Sequence, residues 1–227
     1  MVMKAMASGL GWMVRPLAAV AGWAFFTGTA FCAGTSAGDG EGAMRMYIDR
    51  MEPLRGHDTG SLTAPLCRPP SRLIAVREPC GYDERGGIAF GLRLVASVAS
   101  PESEPEGRSG WCAYCVTVKK QDDYLDATAF SVLSFYVRGE DGGEHMAVAL
   151  ADAHRGDDLV GMSGVSILPY LPSGMIEKRW QKVRMPLGVF QADLSELHRV
   201  LFIFDGRLHE EAAGRRVLIY LDELAME

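Results

Sequence analysis

Two short runs of this chain hold the residue types most able to do chemistry. Trp111-Cys112-Ala-Tyr-Cys115 has the spacing of a thiol oxidoreductase motif, W-C-x-x-C. That chemistry needs the first thiol at a helix N-terminus, where the dipole and free N–H groups favour thiolate. Here Val116-Thr-Val-Lys-Lys follows, which is strand-like. In a strand, residues three apart face opposite sides, so Cys112 and Cys115 are not expected to pair with each other. The second run is Leu133-Ser-Phe-Tyr-Val-Arg138. Its alternation puts Ser134, Tyr136 and Arg138 on one face and Leu133, Phe135 and Val137 on the other. Aromatic rings beside fixed polar groups suit a sugar, whose ring stacks while its hydroxyls take hydrogen bonds. Tyr136 and Arg138 are therefore candidate ligand residues. Asp152 is expected at the end of the neighbouring Ala147–Ala151 strand, with Trp111 and Tyr170 nearby. Trp180 is assigned to packing, and Ala147, Ala149 and Ala151 make one face of their strand small.

Other reactive groups form no constellation. The histidines at 57, 145, 154, 198 and 209 are scattered and lack the spacing of a zinc site. The adjacent carboxylates Asp122-Asp123, Asp157-Asp158 and Glu210-Glu211 fall in loop-like stretches, where such pairs mark solvated turns. The chain has no G-x-S-x-G, P-loop or dinucleotide fingerprint, so no motif supports an enzyme.

The 227 residues carry 23 basic and 29 acidic side chains, a net charge of −6. An acidic chain is a poor counterion for phosphates, which argues against a nucleic-acid partner. Hydrophobic content of 48% argues for a folded domain. Lys4 and Arg15 are the only charges before Asp39, and they flank an apolar run from Leu17 to Phe26 followed by small residues. This pattern reads as an export signal over 1–34, with cleavage candidates after Ala30, Gly34 and Ala37. A membrane contact arises only if that leader is retained as an anchor. Without Lys4 and Arg15 the charge becomes 21 − 29 = −8. Residues 35–43, rich in Gly, Ser, Ala and Asp, read as a flexible linker. The remainder keeps Cys67, Cys80, Cys112 and Cys115, which permit three pairings. An exported location, periplasmic or extracellular, favours oxidation. A Cys67–Cys80 bridge across the Pro69-Pro70 loop is the pairing expected.

The elements that must position these groups read as strands. Candidates are Arg45–Ile48, Leu73–Val76, Ile88–Val98, Cys112–Val118, Val132–Arg138, Met146–Ala151, Val165–Leu168, Lys182–Met185, Val200–Phe204 and Val217–Leu221. β-Branched and aromatic residues concentrate in them, and Gly, Pro or Asp clusters separate them. After the leader no stretch keeps a helical period, although Gly188–Leu197 could hold a single turn. One all-β domain over 44–227, a two-sheet sandwich of about ten strands, is the economical reading.

Four segments in order then resemble the galactose-binding-like β-sandwich, the jelly roll of many carbohydrate-binding modules. They are Met46-Tyr-Ile-Asp-Arg-Met-Glu, Gly110-Trp-Cys-Ala-Tyr-Cys with Tyr124 through Gly139, Trp180-Gln-Lys-Val-Arg-Met-Pro-Leu, and Leu218-Ile-Tyr-Leu-Asp-Glu-Leu. The resemblance implies a structural calcium ion tying the opening strand to the last one, with Asp49, Glu52 and Asp222 as its ligands. It implies an exported, non-catalytic binding module for a carbohydrate or glycoconjugate. Related sandwiches in complex-assembly factors imply an alternative, an envelope protein that grips another protein.

Overall fold

The computed structural model describes residues 44–51, 63–82, 89–99, 110–118, 123–155, 164–206 and 216–227. The leader at 1–34, the linker at 35–43, Glu52, and the carboxylates Asp122, Asp157, Asp158, Glu210 and Glu211 lie outside them. The described residues form eleven strands: β1 (Met46–Asp49), β2 (Thr63–Cys67), β3 (Arg72–Glu78), β4 (Gly91–Ser97), β5 (Trp111–Thr117), β6 (Val132–Gly139), β7 (Ala147–Asp152), β8 (Val165–Ser166), β9 (Gln181–Pro186), β10 (Leu197–Asp205) and β11 (Arg216–Met226). Short 3₁₀ turns are the helical elements between them, and one, Leu194–Glu196, falls where the sequence allowed a single turn. The fold is all-β, as expected.

The strands make two antiparallel sheets. The first runs β3-β4-β11-β6-β9, with β1 also paired to β11, and the second runs β2-β5-β10-β7-β8. Alternation explains how they face each other. Leu133, Phe135 and Val137 of β6, Ile219 and Leu221 of β11, and Val183 and Met185 of β9 point into one core. They meet Tyr114 and Val116 of β5, Val200, Phe202 and Phe204 of β10, and Val148 and Leu150 of β7. Phe135 and Phe202 touch edge to face across the layers, with centroids 5.2 Å apart. Burying an aromatic side chain of this kind stabilises the fold by roughly 2–3 kcal/mol before entropy is counted.

β2 was not anticipated. Pro65 within Thr-Ala-Pro-Leu-Cys argues against a central strand, but β2 is an edge strand, where the missing donor is tolerated. β11 is longer than expected because an extra residue interrupts its ladder. Asp222 lies opposite Tyr136, yet Ala225 lies opposite Ser134, which leaves one surplus residue in β11. Glu223 takes it up with φ at +48°. The bulge resets the alternation, so Leu224 and Met226 return to the core while Asp222 and Ala225 face outward.

Candidate functional site

The outward face of the first sheet collects aromatic rings and charges. Ser134, Tyr136 and Arg138 of β6 share that face, as their alternation requires. Register places Lys182 of β9 and Asp222 of β11 on either side of Tyr136, and Tyr220 of β11 beside Arg138. Trp180, just ahead of β9, continues the outward row formed by Lys182 and Arg184.

Two clusters result. In one, the Arg138 guanidinium sits 4.1 Å from the Tyr220 ring centroid and 5.3 Å from that of Trp180. The two rings meet edge to face at 6.5 Å, and the Tyr220 hydroxyl donates to Glu140 Oε2 at 2.8 Å. Burial, then that bond to Glu140, raises the Tyr220 pKa. In the other, Tyr82 stacks on Tyr136 with centroids 3.9 Å apart and planes 16° from parallel. Both tyrosines are half-buried.

Asp222 holds the second cluster together. Its Oδ2 accepts the Tyr82 N–H at 2.6 Å and its Oδ1 accepts the Glu223 N–H at 2.8 Å, so one carboxylate fixes both the stacked ring and the bulge. The approach is close enough to need glycine. A Cβ on Gly81 would stand 2.2 Å from the Phe90 carbonyl oxygen and 2.7 Å from Asp222 Oδ2.

Beyond Ser134 lies a charged corner. Glu227 Oε1 accepts from Ser134 Oγ at 2.9 Å and Lys182 Nζ at 3.0 Å, and Arg184 lies 2.9 Å from Oε2. Burial pushes the Glu227 carboxyl up, but donation from Lys182 and Ser134 and the nearby positive charges outweigh it. Its pKa therefore falls below the ordinary glutamate value.

The other expected ligand residues stand elsewhere. Trp111 faces outward from β5 in the second sheet, packed against Ala113, Ala147, Ala149, Ala151, Leu201 and Ile203. Asp152 ends β7, which pairs with β10 and β8 in that same sheet rather than lying beside β6. Its Oδ1 accepts the His154 N–H at 3.1 Å and its Oδ2 the Asp193 N–H at 2.8 Å, so it ties two loops to the sheet. Tyr170 lies in a 3₁₀ turn after β8, half-buried against the main core. Tyr136 and Arg138 are thus together, and Trp111, Asp152 and Tyr170 are not with them. Tyr82, Trp180 and Tyr220 were missed. The parity of Trp180, Lys182 and Arg184 could have revealed the tryptophan, which packs on Arg138 at the surface rather than in the core.

Two of the three carboxylates assigned to calcium, Asp49 and Asp222, are engaged by protein donors, and the third, Glu52, lies outside the described residues. Asp49 is 2% exposed; its Oδ1 accepts the Met51 N–H at 2.7 Å, and the Arg77 guanidinium lies 2.7 Å from Oδ2. Arg77 also reaches the Tyr114 hydroxyl, whose pKa is raised by burial, and Thr63 bonds the same hydroxyl. This polar cluster joins β1, β3, β2 and β5. A calcium ion wants six to eight oxygens and no neighbouring cation, so Asp49 beside Arg77 does not fit it. Asp222 spends its oxygens on N–H groups, and among the described residues no group of three or more His, Cys, Asp or Glu could hold a metal.

The W-C-x-x-C run lacks the helix N-terminus that thiol oxidoreductase chemistry needs. Cys112 points into the core and Cys115 away from it, within β5 rather than at a helix start. Burial pushes the Cys112 thiol far up, and burial followed by Glu78 pushes Cys80 up to about 11. Among the described residues no two cysteines are bonded to each other, and the expected Cys67–Cys80 pair is also kept apart by the fold. After the Pro69-Pro70 turn, the seven residues of β3 carry the chain roughly 20 Å onward, so Cys80 ends at the far end of the sandwich from Cys67.

No protein-family model matches the chain, and no curated protein is similar to it in sequence. Solved structures are similar in fold. A family 11 carbohydrate-binding module from Clostridium thermocellum, solved with a β-1,3-1,4-mixed-linked tetrasaccharide, matches 80% of this chain and 94% of its own at 9% identity and a TM-score of 0.51. A family 30 carbohydrate-binding module matches 82% and 99% at 14% identity and a TM-score of 0.52. A β-1,2-glucanase from Parabacteroides distasonis matches 79% of this chain but 24% of its own, at 17% identity and a TM-score of 0.51. The fold is the jelly-roll β-sandwich of such modules.

Proposed function

We propose that the chain is a non-catalytic binding module that takes a carbohydrate or glycoconjugate on the outward face of its first sheet. One observation carries this reading. The Tyr82–Tyr136 stack and the Trp180–Arg138–Tyr220 cluster lie side by side on one sheet, with Tyr82, Tyr136, Arg138 and Trp180 half-buried, Tyr220 buried beneath them, and Lys182, Arg184, Glu140 and Glu227 around them. Ring faces supply a stacking surface for a pyranose, and the surrounding charged groups supply hydrogen bonds to hydroxyls. Asp222 ties the Tyr82 backbone and the β11 bulge to this face, which reduces the ordering needed when a ligand arrives. The raised thiol pKa values of Cys80 and Cys112 support a role without a reactive nucleophile. Two of the similar folds are carbohydrate-binding modules, one solved with a mixed-linked β-glucan fragment, which makes β-glucans the first ligands to try.

The proposal includes export, with 1–34 removed as a leader, and the mass of the secreted protein checks that step. The binding test is a glycan and polysaccharide array followed by titration calorimetry. Expected is a glycan signal that Tyr136→Ala weakens by about tenfold or more, which corresponds to a lost ring contact. A stoichiometric protein partner with no glycan signal would replace this reading with that of an envelope protein.

A further inference from the structure

The fold chooses among the cysteine pairings that the sequence left open. Cys67 of β2 and Cys112 of β5 are register partners across the antiparallel ladder. The next residue, Arg68, donates its N–H to the Trp111 carbonyl at 3.0 Å. The pair at 68 and 111 is therefore hydrogen-bonded, and the adjoining pair at 67 and 112 is the non-hydrogen-bonded kind. Such pairs bring their Cα atoms to about 4.5 Å with both side chains on one face, inside the range of about 4.4–6.8 Å that a disulfide accepts. Both side chains face inward. Cys112 is fully buried in the main core, Cys67 is half-buried against it, and the two thiols hydrogen-bond each other.

The other two cysteines are kept apart. Cys115 faces outward from the second sheet, whereas Cys80 lies among Glu78, Arg138 and Asp222 at the first. We propose that Cys67 and Cys112 form a disulfide that staples β2 to β5 when the chain meets a disulfide oxidant, such as glutathione disulfide or a thiol–disulfide oxidoreductase. The more accessible Cys67 thiol, once deprotonated, attacks the oxidant's disulfide, forming a mixed disulfide and releasing one oxidant thiol. Cys112, losing its proton, then attacks the Cys67 sulfur and expels the second oxidant thiol. Two protein thiols are oxidised by two electrons, and one oxidant disulfide is reduced to two thiols.

The place suits a staple. β2 is a five-residue edge strand with a proline in its middle, so it has few ladder bonds of its own. The crosslink closes a loop of 112 − 67 = 45 residues, long enough to restrict the unfolded chain substantially. None of this depends on what the outward face of the first sheet binds.

The test uses the full chain, reduced and then incubated with oxidised glutathione, alkylated in denaturant, digested and analysed by mass spectrometry. Expected is one crosslinked peptide pair joining Cys67 to Cys112, with Cys80 and Cys115 alkylated. Reduction should then lower Tm by roughly 5–15 °C. Cys67→Ser should abolish both the crosslink and the effect of reductant, and Cys80→Ser should change neither. If Cys67→Ser does not fold, the wild-type comparison with and without reductant decides. Alkylation of both Cys67 and Cys112 after oxidation, a link through Cys80 or Cys115, or a Tm indifferent to reductant would overturn the proposal.

Discussion

The two outward faces of the sandwich come from the same alternation but carry opposite chemistry. On the first sheet the outward positions are Tyr136, Arg138, Lys182, Arg184 and Tyr220, with Tyr82 and Trp180 laid alongside. On the second, Ala113, Ala147, Ala149, Ala151, Leu201 and Ile203, each no more than 6% exposed, form a small apolar patch, with half-buried Trp111 packed against it and Arg199 at its margin. A patch of buried alanine and branched aliphatics offers few polar groups to a ligand and packs as a second apolar cluster. A face of half-buried rings and charged side chains offers stacking surfaces and hydrogen bonds to something outside the chain. The small alanine row, which as a sequence could leave room for a ligand, is buried, with Trp111 and Leu66 packed against its cluster. The tyrosine and arginine row is where the proposed ligand site lies.

Substitutions on each face test that contrast. The largest effect belongs to the second sheet, where Ala149→Asp would place an uncompensated carboxylate in the closed face. Urea unfolding should show a loss of about 3–5 kcal/mol, and a loss below about 1 kcal/mol would mean that the face is open to water. Asp222→Ala should cost about 1–3 kcal/mol, because the Tyr82 and Glu223 N–H groups lose a buried acceptor. It should also weaken glycan binding by releasing Tyr82 from Tyr136, and intact binding would separate the stack from the function. Tyr136→Ala should change stability by less than about 1.5 kcal/mol while it removes binding.

The smallest effects concern charge. The Glu227 pKa is depressed in the folded chain, so its contribution is present above the ordinary glutamate value of 4.5 and is lost as pH falls through the lower folded value. Glu227→Gln should flatten the stability profile in that acid window and leave it unchanged at neutral pH in slope. An unaltered acid profile would remove Glu227 from the account. Calcium added after EDTA should leave Tm where it was, since Arg77 already neutralises Asp49, and a rise in Tm would restore a cation there.

Much of this was legible in the sequence. Alternation in β6 named both faces of that strand, and the four ordered segments gave the jelly roll. What escaped depended on contacts between distant parts of the chain. Tyr82 sits beside Gly81 in no periodic run, and the bond from its N–H to the distant Asp222 carboxylate helps to hold it on Tyr136. Nothing in the sequence of β7 says that it pairs with β10 and β8, so Asp152 looked like a neighbour of Tyr136. Cys67 pairs in register with Cys112 across β2 and β5, and the proline in β2 had hidden that strand altogether. The partner of Asp49, Arg77, lies 28 positions away on another strand, so the ion pair is invisible in the segment around Asp49.

The central claim is that the first sheet's outward face binds and the second sheet's does not. Titration calorimetry of wild type, Tyr136→Ala and Trp111→Ala against the strongest glycan from the array tests it most directly. The account predicts that Tyr136→Ala loses the binding and that Trp111→Ala, once shown to be folded, keeps it. Binding that survives Tyr136→Ala and disappears with Trp111→Ala would place the ligand on the opposite face and contradict it.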